Sequence, residues 1–179
     1  FAASGASLIA GVEAAAVMHE GRSNPRQLMV GEKSLPVLAE SVKTMRAIRK
    51  NNFGAEAVIG LQLTHSGRYA HPNEDAKLES RTAYSHPLLD KKFGNSQANV
   101  VSDEEVKNII QHFIKAAVIA QKAGFDFVDI KHAHGYLGHE FLTAYDRPGP
   151  YGGSFENRTR FSAKSWKASN ATAPILGWA

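Results

Sequence analysis

Residues 125–136 read Phe125-Asp126-Phe127-Val128-Asp129-Ile130-Lys131-His132-Ala133-His134-Gly135-Tyr136, and the chain is built around them. A short run of β-type residues ends in a lysine, two histidines, a glycine and a tyrosine. Glycine breaks the strand and lets the backbone turn, so the polar groups fall at the strand's C-terminal end. That is where α/β barrels and open α/β sheets place their chemistry. Alternation along the strand puts Phe127, Asp129 and Lys131 on one face and Val128 and Ile130 on the other. Asp129 and Lys131 could pair on that face, since a buried lysine without a partner tends to lose its charge.

Upstream, Ser102-Asp103-Glu104-Glu105 is a capping box, with serine as N-cap and glutamate three residues later. Val106, Ile109, Ile110, Phe113, Ala116, Ala117 and Ala120 then recur at helical spacing, and Gly124 stops the helix. A second amphipathic helix follows Ser34, with Leu35, Leu38, Val42, Met45 and Ile48 on its stripe. Residues 8–17 and 57–65 read as strands. Strand, helix, strand, helix, strand predicts a parallel sheet with crossover helices.

On the second strand Ile59, Leu61 and Leu63 are expected against helices, with Val58, Gly60, Gln62 and Thr64 on the opposite, inner face. His65 falls on the other face from Gln62 and reads as a structural hydrogen-bonding group. Arg68 could hold either a loop or an anion. Residues 69–101 form a long excursion, rich in Asn, Ser and Pro, whose Tyr84 and His86 are candidates for a substrate pocket but read more simply as a solvated loop.

Composition excludes several classes. With 179 residues, 43% hydrophobic and 21% charged, the chain is an ordinary globular sequence. Twenty-one Lys and Arg against 17 Asp and Glu give +4, and the basic residues from 43 to 50 sit on one helix without interleaved aromatics, so no nucleic-acid partner is expected. No cysteine is present, which excludes disulfides and thiolate metal sites. The apolar run over residues 2–17 is interrupted by Glu13 and two glycines and is shorter than the ~20 residues of a membrane span. It lacks the basic start of a signal peptide.

Two patterns resemble the Old Yellow Enzyme family of NADH:flavin oxidoreductases. One is a strand ending His-x-x-(His or Asn)-Gly-Tyr, matched by His134 and Tyr136 but with Lys131 in place of the first histidine. The other is Tyr-Gly-Gly-Ser-x-Glu-Asn-Arg, matched by residues 151–158. Residues 62–68 fit a further strand end of that family, and the likeness runs over roughly residues 5–161.

The resemblance implies an α/β fold, a partial TIM (β/α)8 barrel, with FMN as cofactor and NADH or NADPH as hydride donor. The substrate implied is a small activated alkene. Lys131 and His134 would donate to the oxygen where charge develops, and Tyr136 would protonate the α-carbon. Ala14, small enough for a flat ring to approach, and Gln62 would contact the flavin, unless they are plain core residues. Lys131 could instead touch the flavin N1–O2 edge or suit a carboxylate-bearing substrate, or His132 could take over by a one-residue slip.

A complete barrel takes about 250 residues. The resemblance implies that the family's first strand lies before Phe1 and the phosphate loops after the chain's end, so residues 1–179 alone are expected to bind FMN poorly or not at all. Residues 1–161 are read as the barrel part. Residues 162–179 are read as an atypical tail whose Ser, Lys and Asn do not sustain an amphipathic helix. Cytoplasmic location is expected, with a homo-oligomer allowed. Two rivals stand beside this reading. One is a metal-dependent hydrolase using His132, His134, His139, Glu140 and His65. The other is a non-catalytic piece of the flavin fold.

Overall fold

The structure is a computed structural model that describes residues 1–96 and 99–172, with side chains described at all of these except 12, 13, 168 and 170–172. Three parallel strands form one sheet in the order β1 (Leu8–Ala16), β2 (Val58–Thr64), β3 (Phe127–Ile130). Helix α1 (Leu35–Phe53) joins β1 to β2. The β2-to-β3 crossover carries α2 (Pro87–Phe93) and α3 (Asp103–Lys122). After β3 come α4 (Leu137–Leu142), α5 (Phe155–Arg158) and α6 (Arg160–Thr172).

The alternation predicted for β2 holds. Ile59, Leu61 and Leu63 are buried in the core, together with Val106, Ile109, Phe113, Ala116 and Ala117 of α3 and with Leu38 and Val42 of α1. On the other face Val58 is exposed and Gln62 half-buried, while Gly60 and Thr64 are buried. At Gly60 a Cβ would stand 2.2 Å from the Phe127 ring, so only glycine lets that ring lie across the neighbouring strand. β1 meets β2 with a shift of register between Ala10 and Ala14, after which Ala14 pairs with Gln62. Gly11, in left-handed conformation at φ 70°, sits in that bulge.

The capping box of α3 forms as read: Ser102 Oγ accepts from the Glu105 amide and Glu105 accepts from the Ser102 amide. Ser34 differs. It stands at the N-cap of α1, but its hydroxyl accepts from the Gly31 amide and donates to the Gly31 carbonyl, both at 3.0 Å. The backbone at Ser34 is already right-handed helical, and Pro36 removes one of the amides that a cap would serve.

Two expectations fail in the crossover and the tail. Residues 69–101 are not a solvated loop. Ala70, Ser80, Thr82 and Ala83 are buried, Thr82 bridges Val100, and α2 caps itself on the His86 ring. The tail after Phe161 does form a helix, through Thr172. Its inward stripe is Phe161, Ser165 and Ser169, spaced by four residues, all buried, with the Phe161 ring stacked 4.8 Å from Phe141 and edge-on 5.7 Å from Phe113. Serine does not register as an apolar stripe, yet its small volume lets α6 lie close against α3. The remainder of the tail reading, residues 173–179, lies outside the described residues.

Candidate active site

Past β3 the ladder continues for one residue, with the Lys131 amide donating to the Leu63 carbonyl at 3.0 Å. The chain then turns sharply. His134 (φ 60°) and Gly135 (φ 71°) are consecutive left-handed residues, and His134 is the one non-glycine residue with positive φ among the described residues. Such a conformation costs about 1–3 kcal/mol and persists where surrounding contacts impose it. Here the Tyr136 amide donates to the Ala133 carbonyl, the Gly135 amide to His139 Nδ1 at 3.0 Å, and the Leu137 amide to the His65 carbonyl at 3.2 Å. The last contact needs Gly67, since a Cβ there would stand 2.7 Å from the Leu137 nitrogen.

This turn gathers three of the residues singled out from sequence. Lys131 Nζ lies 4.2 Å from the centre of the Tyr136 ring, and the His134 ring stands edge-on at 6.4 Å from it. His134 is exposed, while Lys131 and Tyr136 are half-buried. Tyr69, which no sequence pattern marked, packs 6.0 Å from Tyr136 and 5.2 Å from Phe93.

A second row crosses the sheet beside it. Ala14 pairs with Gln62 and Gln62 with Asp129, and Gln62 Nε2 donates to Asp129 Oδ2 at 2.6 Å. A carboxylate only accepts, so this bond fixes which end of the Gln62 amide faces Asp129. It also decides against the Asp129–Lys131 pair, because Asp129 is taken by Gln62 and forms no ion pair with Lys131 among the described residues. Burial pulls the Lys131 ammonium below the usual lysine range, and the Asp129 charge only partly offsets it. The turn follows directly on β3, which carries the Asp129 end of the row.

His132 does not substitute for Lys131. Its Nδ1 bonds the Ile130 carbonyl at 2.8 Å and its Nε2 meets Ser162 Oγ at 2.7 Å, toward α6. That geometry also separates it from His134. His139 is engaged by Gly135, and Glu140 by Arg68 and the Ala83 amide. No three His, Asp or Glu side chains converge as a metal site among the described residues. Tyr84 and His86 serve the crossover: the Tyr84 hydroxyl meets Thr143 Oγ1 at 3.2 Å, and the His86 ring accepts from the Leu89 amide.

Arg68 holds a loop, not an exposed anion. It is fully buried, and its guanidinium reaches Glu140, Asp90 and the Tyr84 carbonyl. His65, also buried, accepts from the Gly67 amide, and Glu20 Oε1 lies 3.8 Å from its Nε2, too far for a hydrogen bond. Burial pushes the His65 and His132 imidazoles below the ordinary value of 6.5. Below that value the unfolded chain takes up protons that the folded chain refuses, so stability is complete above it and declines as pH falls toward the folded values. Each imidazole contributes at most about 1.4 kcal/mol per pH unit to this decline. Urea denaturation at pH 7.5, 6.5 and 5.5 measures this, and a flat response would mean that both rings are protonated in the folded state.

A family model described as NADH:flavin oxidoreductase / NADH oxidase matches residues 2–165. The chain belongs to this family. It is a family of oxidoreductase enzymes that use FMN and a nicotinamide donor. Among curated relatives, an NADPH dehydrogenase of Bacillus velezensis is 34% identical over 163 residues, 88% of this chain and 43% of the relative. One of Bacillus subtilis is 36% identical over 156 residues, 84% of this chain and 41% of the relative. The chain thus spans about two-fifths of the length of these relatives. Among solved structures, morphinone reductase in complex with tetrahydroNAD superposes with TM-score 0.76 at 23% identity, over 99% of this chain and 51% of that one. An Old Yellow Enzyme from a Pichia species gives 0.72 at 24%, over 90% of this chain and 43% of that one. These likenesses show the fold: the three parallel strands and their helices are part of a TIM barrel.

Proposed function

We infer that this chain carries the catalytic turn and part of the flavin floor of an FMN-dependent enzyme. It takes hydride from NADH or NADPH and reduces an activated alkene of the enone or dienoyl type. The supporting observation is the gathering of Lys131, His134 and Tyr136 at the C-terminal end of β3, beside the Ala14–Gln62–Asp129 row.

The residues suit the group. Among the described side chains of β1, those next to Gln62 are small: a Cβ at Gly11 would come within 2.8 Å of the Gln62 Cβ, and Ala14 presents a single methyl. Asp129 occupies the amide nitrogen, which leaves the Gln62 oxygen without a partner among the described residues and available to a ring N–H. Ala14 and Gln62 would therefore hold the pyrimidine side of the isoalloxazine. When bound, FMN supplies the hydride relay between nicotinamide and alkene.

The chain's own groups do the rest. Lys131 and His134 donate to the acceptor's carbonyl oxygen, where negative charge develops. Tyr136 Oη delivers the proton to the α-carbon. Tyr69, itself packed edge-on against Phe93, backs the Tyr136 ring and sets where its hydroxyl lies. Under this reading residues 1–161 belong to one barrel and further barrel strands supply the phosphate contacts. The enzyme works in the cytoplasm on a small molecule and is free to form a homo-oligomer. Among the described residues no helix is long and apolar enough to cross a membrane.

The test is made on the full-length protein. Adding 2-cyclohexenone should accelerate NADPH oxidation, and Gln62→Leu should weaken FMN binding about tenfold through the lost hydrogen bond. Protein that holds FMN equally well with leucine at 62, or that ignores the enone, would sink the reading.

A further inference from the structure

We propose that Lys131 makes the site selective for acceptors that carry a carboxylate next to the reacting double bond. This rests on the flavin reading above and adds to it the class of substrate.

The argument starts from what the lysine lacks. Among the described residues its ammonium makes no hydrogen bond and no ion pair; its one close neighbour is the face of Tyr136, 4.2 Å from ring centre. The carboxylate two residues earlier on the same strand face, Asp129, is bound to the Gln62 amide. The Lys131 backbone is anchored by the Leu63 carbonyl and its side chain is half-buried, so the ammonium starts from this end of β3. A partly desolvated cation over an aromatic face is stabilised by the ring, and no carboxylate among the described residues forms an ion pair with it, Asp129 acting only through its more distant charge.

The neighbours reinforce the point. His134, exposed and edge-on to the same ring, offers an imidazole, and Tyr136 a phenol. One ammonium, one imidazole N–H and one phenol O–H on a single turn form a set dominated by donors. A neutral carbonyl oxygen uses at most two of them. A carboxylate has two oxygens and about four lone-pair sites and a full charge to set against the ammonium. Burial, which depresses the lysine's own affinity for a proton, is relieved when such an anion binds.

The test compares trans-cinnamate with its methyl ester, which share the alkene and differ in the charge. Calorimetry on the full-length, FMN-loaded protein should give tighter binding of the acid. In Lys131→Met the acid-over-ester preference should collapse by about 30-fold, the span of one charge-assisted hydrogen bond. Lys131→Arg should keep most of it. Loss of both ligands to the same degree in Lys131→Met, or retention of the preference, overturns the proposal. So does a change confined to FMN affinity, which would put the lysine on the ring instead. Turnover with NADPH separates the two readings. Acid-selective binding that Lys131→Met abolishes, without any reduction, upholds the carboxylate site and sinks the flavin reading. Equal reduction of acid and ester by wild type and variant does the reverse.

Discussion

Arg68→Met is expected to cost about 3–5 kcal/mol of folding stability, the range for removing one partner from a buried ion pair. The guanidinium is fully buried. It donates to Glu140 Oε1 at 2.6 Å through Nε, to Asp90 through Nη1, and to the Tyr84 carbonyl at 3.0 Å through Nη2. Burial works against its charge, but Glu140 and Asp90 outweigh burial and hold it above the ordinary arginine value. Methionine keeps most of the volume and none of the donors, so Glu140 would be left buried and facing only the Ala83 amide. Burial already pushes the Glu140 carboxyl above the usual carboxylate range, and without arginine it would go further. Urea denaturation measures the loss, and Glu140→Gln in the Arg68→Met background should recover a substantial part of it. A loss below about 1 kcal/mol, typical of exposed pairs, would mean that water reaches the cluster. Because Arg68 ties residues 84–90 to α4, hydrogen exchange over that stretch should accelerate in the variant.

Under the proposed function, Tyr136→Phe is expected to lower alkene reduction by about 10²–10⁴-fold, the usual share of a positioned general acid. Phenylalanine keeps the ring that Tyr69 packs against and that Lys131 covers, so the turn should stay in place and only the proton be lost. The loss should fall on kcat with KM nearly unchanged, as for a contact made only in the transition state. Steady-state kinetics on the FMN-loaded protein decides this. A kcat within about threefold of wild type would remove Tyr136 from the proton-transfer role.

The site was legible to different depths. Gln62, Lys131, His134 and Tyr136 could be singled out because each lies at or beyond the end of a strand whose period is plain. The pairing of Gln62 with Asp129 could not, since it depends on the β2–β3 register, which no local pattern encodes. Tyr69 was missed for a similar reason: it reaches Tyr136 only because Gly67 lets the chain approach Leu137. The tail was misread because Ser165 and Ser169 fill a buried stripe that hydropathy marks as polar.

Sequence alone determined the parallel strand–helix alternation, the capped helix α3, the inner and outer faces of β2 and the family. Periodicity and caps are local, and the chain writes them within a few residues. Tertiary structure decided what each polar group faces. Arg68 became a buried clamp and His132 a tie to α6. Asp129 became the partner of Gln62, and Lys131 was left without an ion pair among the described residues. Those outcomes follow from which strands lie side by side and which groups are cut off from water, and both are settled only when distant segments pack.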